Sequence, residues 1–263
     1  MTSTIPDLAR EWYAWHERRE QELAAPHGWL SVVALHRLTE RPTRFPGVPG
    51  LWSATTDGVE LTAHAAEGLL VPTVREARLI DATVHLHPLD GRPGTMVSVD
   101  RRIVEVLRRG ALHFLRVRDP QAPARAAFAG VPAFPVDERW VVPARFEPYP
   151  QPRVTTVGAV VEGLTHERTA VGVVHLRIAG AEHGLVAFAG GEDELVLHFR
   201  DRTSGTSTYG GGREVTVARS ATTVDLNRAV NLPCAFTAGA TCPLPPPGNV
   251  LDVAVEAGEQ LPG

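Results

Sequence analysis

Val59-Glu-Leu-Thr-Ala63, Thr83-Val-His-Leu-His87, Thr95-Met-Val-Ser-Val99 and Arg101-Arg-Ile-Val-Glu-Val-Leu107 are short runs rich in β-branched residues, parted by turn residues that include Asp-Gly at 57–58 and 90–91. Runs of four to eight such residues between turn signals read as strands, and Asp-Gly is a hairpin signal. Arg109-Gly110 turns the fourth run back into Ala111-Leu-His-Phe-Leu-Arg-Val117. The same texture returns in VTTVGAVVEGL (154–164), AVGVVHLRIAG (170–180), HGLVAFAG (183–190), ELVLHFR (194–200) and REVTVA (213–218). In the fourth of these, Leu195, Leu197 and Phe199 share one face, and Val196, His198 and Arg200 take the other. The fold class that follows is mainly β: an antiparallel β-sandwich or barrel-like body.

Upstream, Leu8, Trp12, Trp15 and Leu23 recur at near-helical spacing, so an amphipathic helical arm is expected over about 6–24, ended by Pro26 and Gly28. Its two tryptophans imply docking on the body. The apolar run Trp29–Leu38 is ambiguous by periodicity, and helix is the reading preferred for it. Eight prolines between Asp119 and Pro152 require strands there to be short or at a sheet edge. The whole of 1–263 is therefore read as one domain, with a Pro-rich crossover at about 119–152.

Composition excludes more than it includes. The 26 basic residues are all arginine. Without lysine there is no P-loop, no Schiff-base chemistry and no kinase-type lysine. A net charge of −4 with no basic block speaks against nucleic-acid partners. No apolar run is long enough for a bilayer, the opening lacks a secretory pattern and the chain has two cysteines, Cys234 and Cys242, so a cytoplasmic protein with no membrane partner is expected. Those cysteines fit no zinc or redox spacing; packing thiols are the default, a short-loop disulfide second. His85 and His87 would share a strand face, but spacing names no third ligand, so no metal site is expected.

The segments HGWLSVVAL (27–35), FRDRTSGTSTYGGGR (199–213), VDLNRAVNLPCAFTAGATCPLPPPGN (224–249) and VEAGE (255–259) resemble a bacterial family catalogued as domain of unknown function 1684. The chain departs from that pattern at His27, at Leu226 and at Val230-Asn-Leu-Pro. The resemblance implies one conserved unit and brings no activity with it.

Within the resembling block, Thr203, Ser204, Tyr209, Arg213, Asp225, Asn227, Arg228 and Asn231 crowd about thirty positions between glycines. Glycine permits close backbone approach, while arginine beside asparagine and tyrosine offers donors for a carboxylate or phosphate. A pocket near 199–231 for a small, anionic molecule is one reading. In it Thr203, Tyr209, Arg213, Asn227, Arg228 and Asn231 bind, Asp225 serves as base or orienter, and Ser204 is the candidate nucleophile. The chemistry would be that of a hydrolase or lyase without a cofactor, or binding alone, with a protein-interaction scaffold that has no pocket but an exposed apolar patch as the third alternative. The competing reading makes Ser-Gly and the glycine run turns, with an Asp–Arg pair anchoring an irregular tail. The glycine run is no dinucleotide fingerprint, since a strand follows it. Oligomeric state is not legible.

Overall fold

The computed structural model describes residues 5–73 and 76–262. The chain groups into two compact units, residues 22–128 with 237–240 and residues 1–21 with 129–236 and 241–263. One of the crossings between them, at 128/129, falls inside the proline-rich stretch.

In the N-terminal unit the strands are β1 (Val32–Arg37), β2 (Thr43–Phe45), β3 (Val48–Ala54), β4 (Val59–Ala63), β5 (Leu70–Pro72), β6 (Ala77–Leu79), β7 (Ala82–Leu86), β8 (Thr95–Val99), β9 (Arg102–Arg109) and β10 (Leu112–Arg118). They form a six-stranded sheet in the order β1-β10-β9-β8-β5-β6 and a four-stranded sheet in the order β2-β3-β4-β7. Both are antiparallel, and Trp52, Leu61 and Leu86 from one sheet meet Val97, Val104, Val106 and Leu115 from the other in a shared core. Two of the three expected hairpins form: Thr55 N–H bonds the Gly58 carbonyl between β3 and β4, and Gly110 turns β9 into β10 at φ 59°; Asp90-Gly91 makes none, because β7 and β8 on either side of it pair into different sheets. The run at 29–38 differs from its helical reading. Only Trp29–Ser31 makes a helical turn, and Val32–Arg37 is strand, because its β-branched residues pair with β10. The HGWL motif is built into this corner. A side chain at Gly28 would strike the carbonyls of Glu22 and Leu23, and the Trp29 ring lies 4.8 Å from both the Arg116 and Arg118 guanidinium carbons. Both arginines bind the buried Glu105; burial would raise that carboxyl, but the two guanidiniums outweigh it and hold it low.

The C-terminal unit holds α1 (Ile5–Leu23) through Gln21 and the strands β11 (Val141–Gly158), β12 (Thr165–Ile178), β13 (Ala181–Ala189), β14 (Glu194–Phe199), β15 (Arg213–Ala218), β16 (Thr223–Asp225) and β17 (Val230–Asn231). They make one antiparallel sheet in the order β16-β11-β12-β13-β14-β15-β17. The prolines explain the register of β11. Among the described residues no strand flanks its outer side beyond Pro143, and its pairing with β12 breaks between Pro148 and Arg153, where missing N–H groups cost least. Trp12 is buried and its indole N–H donates to the Asn227 carbonyl at 2.6 Å, while Trp15 is half-buried under the Arg228 guanidinium. The tryptophan stripe therefore docks α1 on this unit.

One face of the sheet carries Leu176, Leu185, Leu197, Phe199 and Val215, covered by Leu226, Leu251 and Val255. The other carries a smaller apolar cluster of Val157, Ala170, Phe188 and Val196. Strand β14 is thus buried on both sides, which the alternation alone did not require. At its end the sheet opens. The fully buried Asn249 takes the Val186 N–H on its side-chain oxygen and gives its amide hydrogens to the Val186 and His198 carbonyls, replacing direct pairing of β13 with β14 there.

Candidate functional site

The eight polar residues singled out in the sequence separate into three groups. Arg213 is fully buried. Its guanidinium pairs with Asp201 at 2.9 Å and donates to the carbonyls of Val255, Ala257 and Glu259. Thr203 donates to the same Asp201 at 2.5 Å and contacts Thr208. Asn231 gives its backbone N–H to the buried Glu259 at 2.6 Å and its side-chain amide to the Gln260 carbonyl, and Glu259 is bound from its other oxygen by Arg19. This first network ties the tail 255–260 to the sheet. Burial raises the Glu259 carboxyl, opposed by Arg19 and the Asn231 N–H. Ser204 Oγ accepts from the Asp201 N–H at 3.1 Å and so closes a local turn.

The second group lies against α1. Asp225 caps the turn Leu226–Arg228, taking the Asn227 N–H and side-chain amide, and pairs with Arg228 at 3.3 Å. Asn227 also exchanges hydrogen bonds with the backbone of Asp137. The arginine that meets a buried carboxylate is therefore Arg213, and that carboxylate is Asp201, not Asp225. Tyr209 belongs to a third place, beside Cys234 and Cys242. Its phenol is pushed up to about 12 by burial and by the charge of the two thiols, against Arg200.

Arg200 leads to a cluster that the sequence reading passed over. On the β14 face opposite the main core stands His198, with no exposed surface. Its Nε2 lies 3.2 Å from the Gly211 carbonyl oxygen. A carbonyl only accepts, so Nε2 carries the proton and Nδ1 holds a lone pair. Burial first, then the charge of Arg168, pushes the imidazole down to about 3; Arg200 adds to this and the Gly211 bond opposes it. His198 is thus neutral, and its Nδ1 is buried without a hydrogen-bond partner. Arg168, from β12, lies with its guanidinium carbon 4.2 Å from the Phe188 ring centre, and its Nη1 is likewise buried and unpartnered; so is Nε of Arg200. Glu214, paired across β14–β15 with His198, is the nearest counter-charge to Arg168, but 3.9 Å is too long for a hydrogen bond. Burial raises the Glu214 carboxyl against the pull of Arg168 and Arg19. Its side chain keeps 29% of its surface and that of Arg168 18%, so the cluster meets solvent on this side.

The glycine run shapes the cluster. Gly212 has φ 92°, and a side chain there would stand 2.6 Å from the Phe199 carbonyl oxygen and 3.2 Å from His198 Nε2. At Gly211 a side chain would strike the Tyr209 ring. These glycines let the loop lie directly on the histidine, as close backbone approach requires.

Among the described residues no three His, Cys, Asp or Glu side chains gather as metal ligands. His85 and His87, in the N-terminal unit, instead lie 3.8 Å from Glu60 and Asp57 respectively. No helix is long and apolar enough to cross a membrane among the described residues.

Residues 126–260, half of the chain and with it the loop, the histidine and both arginines, match the model of a family described as protein of unknown function (DUF1684). The chain belongs to that family. A solution NMR structure of an uncharacterized protein of Haloarcula marismortui is similar at 29% identity over 52% of this chain and 78% of that one, with a TM-score of 0.44. No curated protein matches. The function of this DUF1684 member is unknown.

The sequence signal for His198 was present but faint: a histidine and an arginine alternating with core residues on a strand. What it lacked was Arg168, thirty positions upstream and brought near only by sheet register.

Proposed function

We propose that the C-terminal unit binds a small anionic molecule that also carries a hydroxyl group, held by Arg168, His198 and Arg200. One observation carries this reading: three buried side-chain nitrogens, Arg168 Nη1, His198 Nδ1 and Arg200 Nε, lack hydrogen-bond partners in one charged patch. Buried polar groups are ordinarily satisfied, and leaving one unmade costs about 1–3 kcal/mol. Two guanidinium N–H groups suit carboxylate or phosphate oxygens, and the lone pair on Nδ1 suits a hydroxyl donor between them. Tyr209 stands at the margin of this site through Arg200.

Binding is favoured over turnover on the chemistry of the imidazole. A general base works best with a pKa near the operating pH, and one held at about 3 abstracts protons poorly. The hydrolase or lyase alternative is weakened further at Ser204, whose Oγ is engaged by the Asp201 N–H. A cytoplasmic setting belongs to the same proposal and rests on the low cysteine count.

The test is a thermal-shift and calorimetry panel of small α-hydroxycarboxylates, the matching carboxylates without hydroxyl, and inorganic phosphate. Hydroxy acids are expected to raise the melting temperature most. Arg168→Gln and Arg200→Gln should keep the parental apo melting temperature and lose the shift. A parent indifferent to every member at millimolar concentration would overturn the reading, as would an undiminished shift in both variants.

A further inference from the structure

Cys234 and Cys242 lie at the two ends of a nine-residue stretch in the PCAFTAGATC segment. Each backbone N–H points at the other residue's sulfur: Cys234 N to Cys242 Sγ is 3.2 Å, and Cys242 N to Cys234 Sγ is 3.2 Å. The two residues therefore face each other with their side chains crossed. The loop is fixed on both sides of the pair. Cys234 sits on the helical turn Pro233–Ala235, and the Cys242 carbonyl accepts from Val160 N–H, with Leu244 N–H bonded to Gly158 next to it.

A cysteine sulfur stays within about 4 Å of its own amide nitrogen, because three covalent bonds separate them. Two sulfurs that each touch the other's amide are thus no more than about 7 Å apart, and rotation about the two Cα–Cβ bonds covers the way to the S–S bond of about 2 Å.

We infer that Cys234 and Cys242 are a redox modification site that closes to a reversible intrachain disulfide under a peroxide oxidant. This inference is independent of the anion site and rests on the facing pair alone. Cys234 is the half-buried member and Cys242 the buried one, so the peroxide meets Cys234 first. The Cys234 thiolate attacks a peroxide oxygen; the O–O bond breaks, a sulfenic acid forms and the departing hydroxide takes up a proton as water. The Cys242 thiolate then attacks the sulfenic sulfur, the S–S bond forms, the S–O bond breaks and the departing hydroxide takes up the proton that the Cys242 thiol released, leaving as a second water. The two sulfurs give up two electrons in all, and the peroxide receives them. A dithiol reductant returns both electrons and protons. Such a transient crosslink suits a reducing compartment, where permanent disulfides are rare.

The experiment uses the full chain, treated with a small excess of hydrogen peroxide, denatured in N-ethylmaleimide without reductant, and weighed intact. Reduced protein should take two labels, one for each cysteine of the chain. Oxidised protein should take none, weigh two hydrogens less, stay monomeric and regain both labels after dithiothreitol. The Cys242→Ser variant, lacking the resolving thiol, should accumulate a dimedone-reactive sulfenic acid at Cys234. Two labels remaining after peroxide would overturn the inference. So would disulfides joining two chains, or conversion of both sulfurs to sulfinic acid. The parent measurement decides the matter even where the variant folds poorly.

Discussion

Lowering the pH from about 8 to about 5 should cost this protein stability through His198, and the size of the loss follows from its burial. The imidazole is fully buried, and its pKa falls from an ordinary 6.5 to about 3, by desolvation first and by the charge of Arg168 next. In the unfolded chain the same group titrates near its ordinary value. Between those two values the unfolded state holds a proton that the folded state refuses, so acid favours unfolding. The stabilisation is complete above 6.5 and is lost progressively as the pH falls towards 3. At pH 5 the unfolded imidazole is almost wholly protonated and the folded one is not, which amounts to about 2 kcal/mol. The assay is urea unfolding of the parent and of His198→Gln at both pH values. Glutamine keeps a donor for the Gly211 carbonyl and does not titrate. The raised carboxyls of Glu214 and Glu259 act in the opposite sense, because their folded forms take up protons more readily, but they are common to both proteins and cancel in the comparison. The parent should lose about 2 kcal/mol more than the variant between the two conditions. An equal loss in both would refute a neutral, buried His198, and with it the lone pair on which the proposed binding mode depends.

Three other outcomes are expected. Arg213→Ala should destabilise the ligand-free protein by about 3–5 kcal/mol, because it strands the buried Asp201 carboxylate; a chemical-denaturation midpoint near the parent's would contradict an anchoring role. Trp12→Ala should lower stability by about 3 kcal/mol or more, since it removes a buried indole and its bond to the Asn227 carbonyl, and limited proteolysis should then cut near α1; an unchanged melting curve would count against docking. Gly212→Ala should cost at least about 1 kcal/mol, because alanine disfavours φ 92° and its methyl would crowd the Phe199 carbonyl; a neutral effect in calorimetry would mean that the loop does not lie on His198 as described.

The two readings of the polar block in the sequence, pocket or anchor, part at particular residues. Arg213 and Asp201 form a buried pair in which the guanidinium also takes backbone carbonyls of the tail, and this is the anchoring geometry. Asp225 and Arg228 cap a turn beneath α1. Conversely, His198 and Arg168 drew no attention as a pair, yet they leave buried nitrogens open. A chain read residue by residue shows which groups are polar. It does not show which of them find partners.

The sequence by itself determined the β class, the hairpins at Asp57-Gly58 and Arg109-Gly110, and the amphipathic arm with its tryptophan stripe, because these depend on local turn chemistry and on periodicities of two and of 3.6 residues. It required strands among the prolines of 119–152 to be short or at an edge and read the stretch as a crossover, whereas the structure runs the 18-residue strand Val141–Gly158 through 143–152 and accommodates the missing N–H groups by breaking the pairing between Pro148 and Arg153. Only the tertiary structure decided that Val32–Arg37 is strand, that Arg213 binds Asp201, that Asn249 holds open the end of β14, and that Arg168 reaches the face of His198. Those outcomes turn on register and on long-range pairing, where a residue's fate is set by neighbours tens of positions away and by whether water still reaches it.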